Sequence, residues 1–174
     1  SRLITGGQVD NQPVVKNGII VLHNGIIVNH KKLWNEISPE RELEVDSEII
    51  AGLTEQYLND NLSFDGLSQF ILEKCEGVVA CAIAIPEKGK LIIFSNNGSL
   101  YFGSKNKQLI FSSESFPLES IKCNEIKQIR NEQIIIEIPV DYSEIKVTNY
   151  KNQRLNLVPE LSLSGENESL LEHQ

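Results

Sequence analysis

The apolar period of the chain changes at Gly77, and that change limits the folds open to it. Upstream, apolar residues recur at helical spacing: Leu33, Trp34 and Ile37; then Ile49, Ile50, Leu53, Tyr57 and Leu58; then Phe64, Leu67, Phe70 and Ile71. These sets predict a short helix over 29–37, a second starting at Asp46, and a third over 63–76 that stops at Gly77. Downstream, four short β-rich runs (78–85, 91–95, 99–102 and 109–112) alternate with turn signals centred on Pro86-Glu87-Lys88-Gly89, Asn96-Asn97-Gly98 and Ser104-Lys105-Asn106-Lys107. They predict an antiparallel meander, with two further strands over 133–138 and 144–148. One strand, 18–23, precedes the helices, and residues 1–16 read as loop. Helices clustered first and strands second predict an α+β layered domain.

Charge removes several function classes. The 174 residues hold 16 Lys and Arg against 24 Asp and Glu, a net charge of −8. A chain so acidic lacks the basic face that nucleic-acid phosphates or anionic lipids require, so neither partner is expected. No apolar run approaches the ~20 residues that span a bilayer. Cys75, Cys81 and Cys123 show no CxxC spacing, and His23, His30 and His173 form no ligand cluster, so neither a metal nor another cofactor is expected. Free cysteines in apolar runs and the lack of a basic-then-apolar leader point to a cytoplasmic location. Residues 158–174 contain Glu160, Glu166, Glu168 and Glu172 and no Lys or Arg, and read as an acidic linker or tail behind a domain over 1–157.

The segment that carries chemistry is Ile20-Val21-Leu22-His23-Asn24-Gly25. Asn-Gly between apolar runs is a strong hairpin signal, and a tight turn that ends the strand is one reading. The other is an oxyanion site. An Asn side-chain amide and a Gly backbone N–H are neutral donors that can be held rigidly toward one developing negative oxygen. Gly suits that role because its backbone permits close approach.

The run His23-Asn24-Gly25-Ile26-Ile27-Val28-Asn29-His30 resembles the signature of class II glutamine amidotransferases, which are N-terminal-nucleophile hydrolases. It is most similar to the glucosamine-6-phosphate synthase branch. Ser1-Arg2-Leu3-Ile4-Thr5-Gly6-Gly7, Asp46-Ser47-Glu48-Ile49-Ile50, Cys75-Glu76-Gly77-Val78-Val79-Ala80 and Phe111-Ser112-Ser113-Glu114 resemble further family segments in the same order. The resemblance implies an αββα sandwich in which two antiparallel sheets stack between helical layers, this chain forming its C-terminal part. It implies that Asn24 and Gly25 stabilise the oxyanion, that Arg2 clamps the α-carboxylate of L-glutamine, that Asp46 receives the α-ammonium, and that Thr5 lines the glutamine pocket. Asp46 also reads as the N-cap of the second helix.

The activity so implied is hydrolysis of L-glutamine to glutamate and ammonia, delivered to an acceptor such as a sugar phosphate in a synthase domain or subunit. The resemblance allows a homodimer. It places the nucleophile, a cysteine at the mature N-terminus, together with the first strands of the fold, upstream of Ser1. None of the three cysteines aligns with that position. Leu3 and Gly6 stand where the family has Trp and His. Those departures leave a second reading open, a non-catalytic binding or interaction module on the same fold. A third reading, an amide or dipeptide hydrolase, fits less well, because Arg2 and Asp46 together suit a free amino acid.

Overall fold

The computed structural model describes residues 11–60, 63–106, 108–138 and 146–151. A two-residue hairpin at Asn17-Gly18 joins β1 (Val14–Lys16) to β2 (Ile19–Ile27), both turn residues having positive φ. Helices α1 (His30–Leu33), α2 (Glu48–Asp60) and α3 (Leu67–Lys74) follow. Next come β3 (Gly77–Ile85), a 3₁₀ turn at Pro86–Lys88 and β4 (Lys90–Ser95). The remaining elements are β5 (Tyr101–Lys105), β6 (Gln108–Ser112), α4 (Ser115–Ser120), β7 (Asn124–Gln128), β8 (Glu132–Glu137) and β9 (Lys146–Lys151).

The strands form two antiparallel sheets, ordered β1-β2-β3-β4-β8-β9 and β6-β5-β7. Helices α2 and α3 cover one face of the first sheet. Ile49, Ile50, Leu53, Leu67 and Ile71 meet Val21, Ile27, Val79, Cys81, Ile83, Ile92 and Phe94 in one core, and each is almost fully buried. Each such aliphatic side chain contributes about 1.5–3 kcal/mol. On the opposite face, Ala80, Ala82, Ile93, Ile134 and Ile136 pack toward Leu100, Phe102, Phe111 and Ile129 of the second sheet and its flanks. α4 lies against β5, β6 and β7 with Leu118 buried, outside that inter-sheet cluster. The order of layers is helix, sheet, sheet, helix. The second sheet packs on β3, β4 and β8 but not across β2, where Leu22 and Ile26 stay exposed.

Several expectations are corrected. Asn24-Gly25 is not a hairpin turn: β2 runs through it to Ile27, in unbroken register with β3. The four strands after Gly77 are not one meander, because β4 pairs with β3 and β8, while β5 and β6 belong to the other sheet. The polar residues between β4 and β5 explain the crossing. Ser95 Oγ accepts the Asn97 and Gly98 N–H groups, Asn97 Oδ1 accepts Ser99 N–H, and Gly98 has φ +80°. Asn96 grips β3, donating to the Gly77 carbonyl (2.9 Å) and accepting from Val79 N–H (2.9 Å). These side chains satisfy the backbone locally, so the chain leaves the first sheet instead of folding back along it. Residues 14–16 form a strand, not loop, and α4 and β7 are elements the periodicity did not reveal. The tail over 158–174 lies outside the described residues.

Candidate functional site

The outer edge of β2 changes character along its length. Opposite Ile19–Val21 it is paired with the main chain of β1. Beyond Val21, side chains take over. The carboxamide of Gln12 accepts the His23 N–H (2.7 Å) and donates to the His23 carbonyl (2.5 Å). Four residues on, the Ile27 N–H donates to Asp46 Oδ2 (2.8 Å). Strand geometry points every second N–H the same way, so Gly25 N–H faces this edge too, between those two occupied positions. No described residue accepts from it. The Asp46 carboxylate therefore lies about 7 Å along the strand from the Gly25 amide.

Gly25 is required here by its neighbours. Its φ is +154°, and a Cβ at this position would lie 1.9 Å from the Val78 carbonyl oxygen and 2.9 Å from His23 Nε2. Those two atoms are themselves hydrogen-bonded across the glycine (3.1 Å). Asn24, on the opposite face, borders a cleft of about 240 Å³ where the sheets diverge, lined also by Ala80, Ala82, Leu100, Phe111 and Ser112. One dipeptide thus presents a side-chain amide toward the cleft and a backbone amide toward the strand edge.

Asp46 is not the helix cap expected of it. α2 begins at Glu48, and the Asp46 carboxylate turns to β2. Its other oxygen, Oδ1, lies 3.5 Å from Ser47 Oγ. Ser47 Oγ is 3.0 Å from His23 Nδ1. Because a carbonyl can only accept, His23 Nε2 carries the hydrogen toward Val78, and the Ser47 hydroxyl donates to Nδ1. Burial lowers the pKa of His23; the Val78 hydrogen bond and the Asp46 charge oppose this only in part. Burial likewise lowers that of His30, against the Asp46 charge and with Arg41 and Lys31. Burial pushes the Cys75 thiol up to about 12, Asp46 adding to the shift, and pushes Cys81 well above its ordinary value. Both thiols stay protonated and unreactive.

The segment leading into Asp46 is clamped. The Lys16 ammonium donates to the Glu40 carbonyl (2.6 Å) and Glu42 Oε1 (2.6 Å) and lies 3.3 Å from Glu48. Glu48, 1 % exposed, accepts the N–H groups of Glu42 and Leu43 (2.8 Å each). Burial disfavours the Lys16 charge, but the hydrogen bonds and charges of the two glutamates outweigh it and its pKa is raised.

Of the residues singled out from sequence, Asn24, Gly25 and Asp46 come together at one end of β2, whereas Arg2 and Thr5 lie outside the described residues. Gln12, Ser47 and Lys16 were not singled out. Gln12 fell within the stretch read as loop, and Ser47 and Lys16 carried no spacing signal. Among the described residues no group of three or more His, Cys, Asp or Glu could hold a metal ion, and no helix is long and apolar enough to cross a membrane.

Residues 2–120 match the family model described as a glutamine amidotransferase domain. The chain is 28% identical over 109 residues to glutamine–fructose-6-phosphate aminotransferase (isomerizing) of Rhizobium meliloti, an alignment covering 61% of this chain and 18% of that protein. It is 31% identical over 124 residues to the mouse (Mus musculus) enzyme 2 of the same name, covering 66% and 18%. With the Chlorobaculum tepidum enzyme the match is 25% over 158 residues, covering 87% and 25%. The chain spans a quarter or less of these relatives. Among solved structures, glutamine phosphoribosylpyrophosphate amidotransferase from B. subtilis superposes with a TM-score of 0.61 at 20% identity, over 84% of this chain and 33% of that one.

Proposed function

The chain belongs to the glutamine amidotransferase domain family, a class II domain of the N-terminal-nucleophile fold, and from that premise we propose that it performs the glutaminase half-reaction, releasing ammonia for an acceptor bound by a synthase domain or subunit. The observation that carries this reading is the Gly25 N–H, which no described residue accepts, set between two filled positions on the same edge, with Asn24 beside it and the Asp46 carboxylate two strand residues away. A free glutamine carries its α-ammonium and its side-chain carbonyl at opposite ends, as this spacing requires. Asp46 Oδ1, which Ile27 does not use, takes the ammonium, and Arg2 takes the α-carboxylate.

In the reaction, a thiolate attacks the side-chain amide carbon and the carbonyl electrons move onto oxygen. Asn24 and the Gly25 N–H donate to that oxyanion. The tetrahedral species collapses with protonation and departure of ammonia, leaving a thioester that water hydrolyses to glutamate. Burial holds Cys75 and Cys81 protonated, and none of Cys75, Cys81 and Cys123 aligns with the family's nucleophile; we assign the thiol to a cysteine outside these 174 residues. The named relatives transfer to fructose 6-phosphate, which makes a sugar phosphate the acceptor to try first.

Comparing Asn24→Ala with wild type in a glutaminase assay of the full-length protein tests the assignment. The expected result is a kcat lower by about 10²–10³-fold; equal kcat values rule it out. The non-catalytic reading draws support from Leu3 and Gly6, which depart from the family's Trp and His. It takes over if the wild-type protein binds glutamine without hydrolysing it.

A further inference from the structure

The hairpin β1–β2 stops two hydrogen-bonded pairs short of Gly25. Its register pairs Val14 with Val21, Val15 with Ile20 and Lys16 with Ile19. Continued by the same rule, the main chain of Gln12 would face His23, and that of Asp10 would face Gly25. The Gly25 N–H would then be consumed by a ladder hydrogen bond, as the N–H groups of Ile19 and Val21 are. Instead β1 begins at Val14, and the Gln12 side chain makes both hydrogen bonds to His23 that its main chain would have made (2.7 and 2.5 Å). A primary carboxamide presents its carbonyl oxygen and one N–H side by side, as the C=O and N–H of a single strand residue do, so it can replace a strand partner at one residue. The replacement sets the Gln12 main chain back from β2 by the length of its side chain.

We propose that Gln12 is a positioning residue that ends the β1–β2 ladder and keeps the Gly25 amide open for a ligand oxygen. It fixes both main-chain polar groups of His23, the residue next to Asn24, so it also sets the direction of the chain entering Asn24-Gly25. Gln12 lies within 3.5 Å of Ser47 Oγ through the same Nε2, which ties this stop to the start of α2 beside Asp46. The catalytic consequence rests on the glutaminase reading above; the ladder-stop itself does not.

Two variants test it in the full-length protein, with two readouts. Gln12→Met keeps the length of the side chain and removes both hydrogen bonds. Gln12→Glu accepts from His23 N–H but cannot donate to its carbonyl, and it serves if the Met variant does not fold. Hydrogen exchange is followed at the His23 and Gly25 amides, and glutamine hydrolysis gives kcat and KM. In wild type the His23 amide is protected and the Gly25 amide is not. In Gln12→Met, His23 protection falls about tenfold or Gly25 becomes protected as the ladder extends. The expected kcat falls about ten- to a hundredfold with KM within about threefold, as for a misplaced catalytic group. Gln12→Glu retains His23 N–H protection and gives an intermediate kcat. The proposal is overturned if Gln12→Met leaves both amides and kcat as in wild type, or if only KM rises, which makes Gln12 a substrate contact. If wild type does not hydrolyse glutamine yet the two amides follow residue 12 as stated, the ladder-stop stands and the glutaminase reading fails.

Discussion

The two halves of β2 lie in one strand, on one edge of one sheet, and are completed differently. Ile19–Val21 is completed by the main chain of β1, and every hydrogen-bonding position there is consumed. His23–Ile27 is completed by side chains reaching in from a loop and from the entry to α2, and among the described residues one position, Gly25, has no such partner. Main-chain pairing has a fixed repeat and cannot omit a position without a bulge. Side-chain pairing can, because each residue is supplied independently. A strand can therefore serve as scaffold in its first half and as a binding edge in its second with no break in its register toward β3.

The largest effect is expected where the second half depends on a missing side chain. Gly25→Ala would put a methyl carbon 1.9 Å from a backbone oxygen, and neither β2 nor β3 can yield without losing register or the His23–Val78 hydrogen bond. We expect destabilisation of about 4 kcal/mol or more, measured by denaturant unfolding, because the clash is with backbone rather than a flexible tip. A loss below about 1 kcal/mol would show that the edge is more pliable than its register implies.

The first half is sensitive through charge. Lys16 ends β1, and its ammonium reaches the buried Glu48 and the loop leading to Asp46. Lys16→Met leaves the Glu48 carboxylate buried without a cation, at an expected cost of about 3–5 kcal/mol. Adding Glu48→Gln should recover part of that cost, since a neutral amide needs no counter-charge. An additive double variant would mean that the two residues do not act together.

The sequence exposed the repeating part of this arrangement and little of the rest. Ile49, Ile50 and Leu53 announce α2 because burial on one face imposes a helical period. Asn24-Gly25 was visible as a chemical pair, but whether it turned the chain or sat within a strand depended on β3 pairing beside it, a contact between residues more than fifty positions apart. Asp46 shows the same limit. An Asp before an amphipathic run fits an N-cap, yet its carboxylate caps a strand N–H that only the fold brings near. Gln12 had no signal, since its role lies in the main-chain partner it displaces. Gln133 is a further case: from β8 it holds the start of α3, accepting from Ser68 N–H and donating to the Phe64 carbonyl.

A smaller effect separates the polar chemistry of the second half from its architecture. Asp46→Asn keeps an oxygen that can accept the Ile27 N–H, so the strand edge should survive with a stability change within about 1 kcal/mol. The charge is removed, and with it the partner for an α-ammonium. The expected loss in kcat/KM for glutamine is about 2–4 kcal/mol, the range for truncating one member of a desolvated charge pair. Unchanged kcat/KM would remove Asp46 from the binding site while leaving its structural bond intact.

The smallest effect is a pH dependence that only the second half should show. Burial holds the pKa of His23 below its ordinary 6.5, so the folded protein keeps the ring neutral where the unfolded chain has begun to protonate it. Below pH 6.5 the unfolded state therefore binds more protons than the folded state, and stability falls as pH drops toward the folded pKa; above 6.5 the ring is neutral in both states and contributes no slope. The slope from one such group reaches at most about 1.4 kcal/mol per pH unit. His30 is shifted in the same direction, also mainly by burial, so it adds to the slope and must be separated from it. His23→Gln should remove part of the slope between pH 7 and 5, and adding His30→Gln should remove more. A His23→Gln variant whose stability falls more steeply than wild type as the pH drops would overturn this and show that His23 is protonated in the fold, with Nδ1–H donating to Ser47 and the Ser47 hydroxyl turned to Asp46 Oδ1. The polar chain His23–Ser47–Asp46 would then carry a charge into the edge that holds Gly25 open.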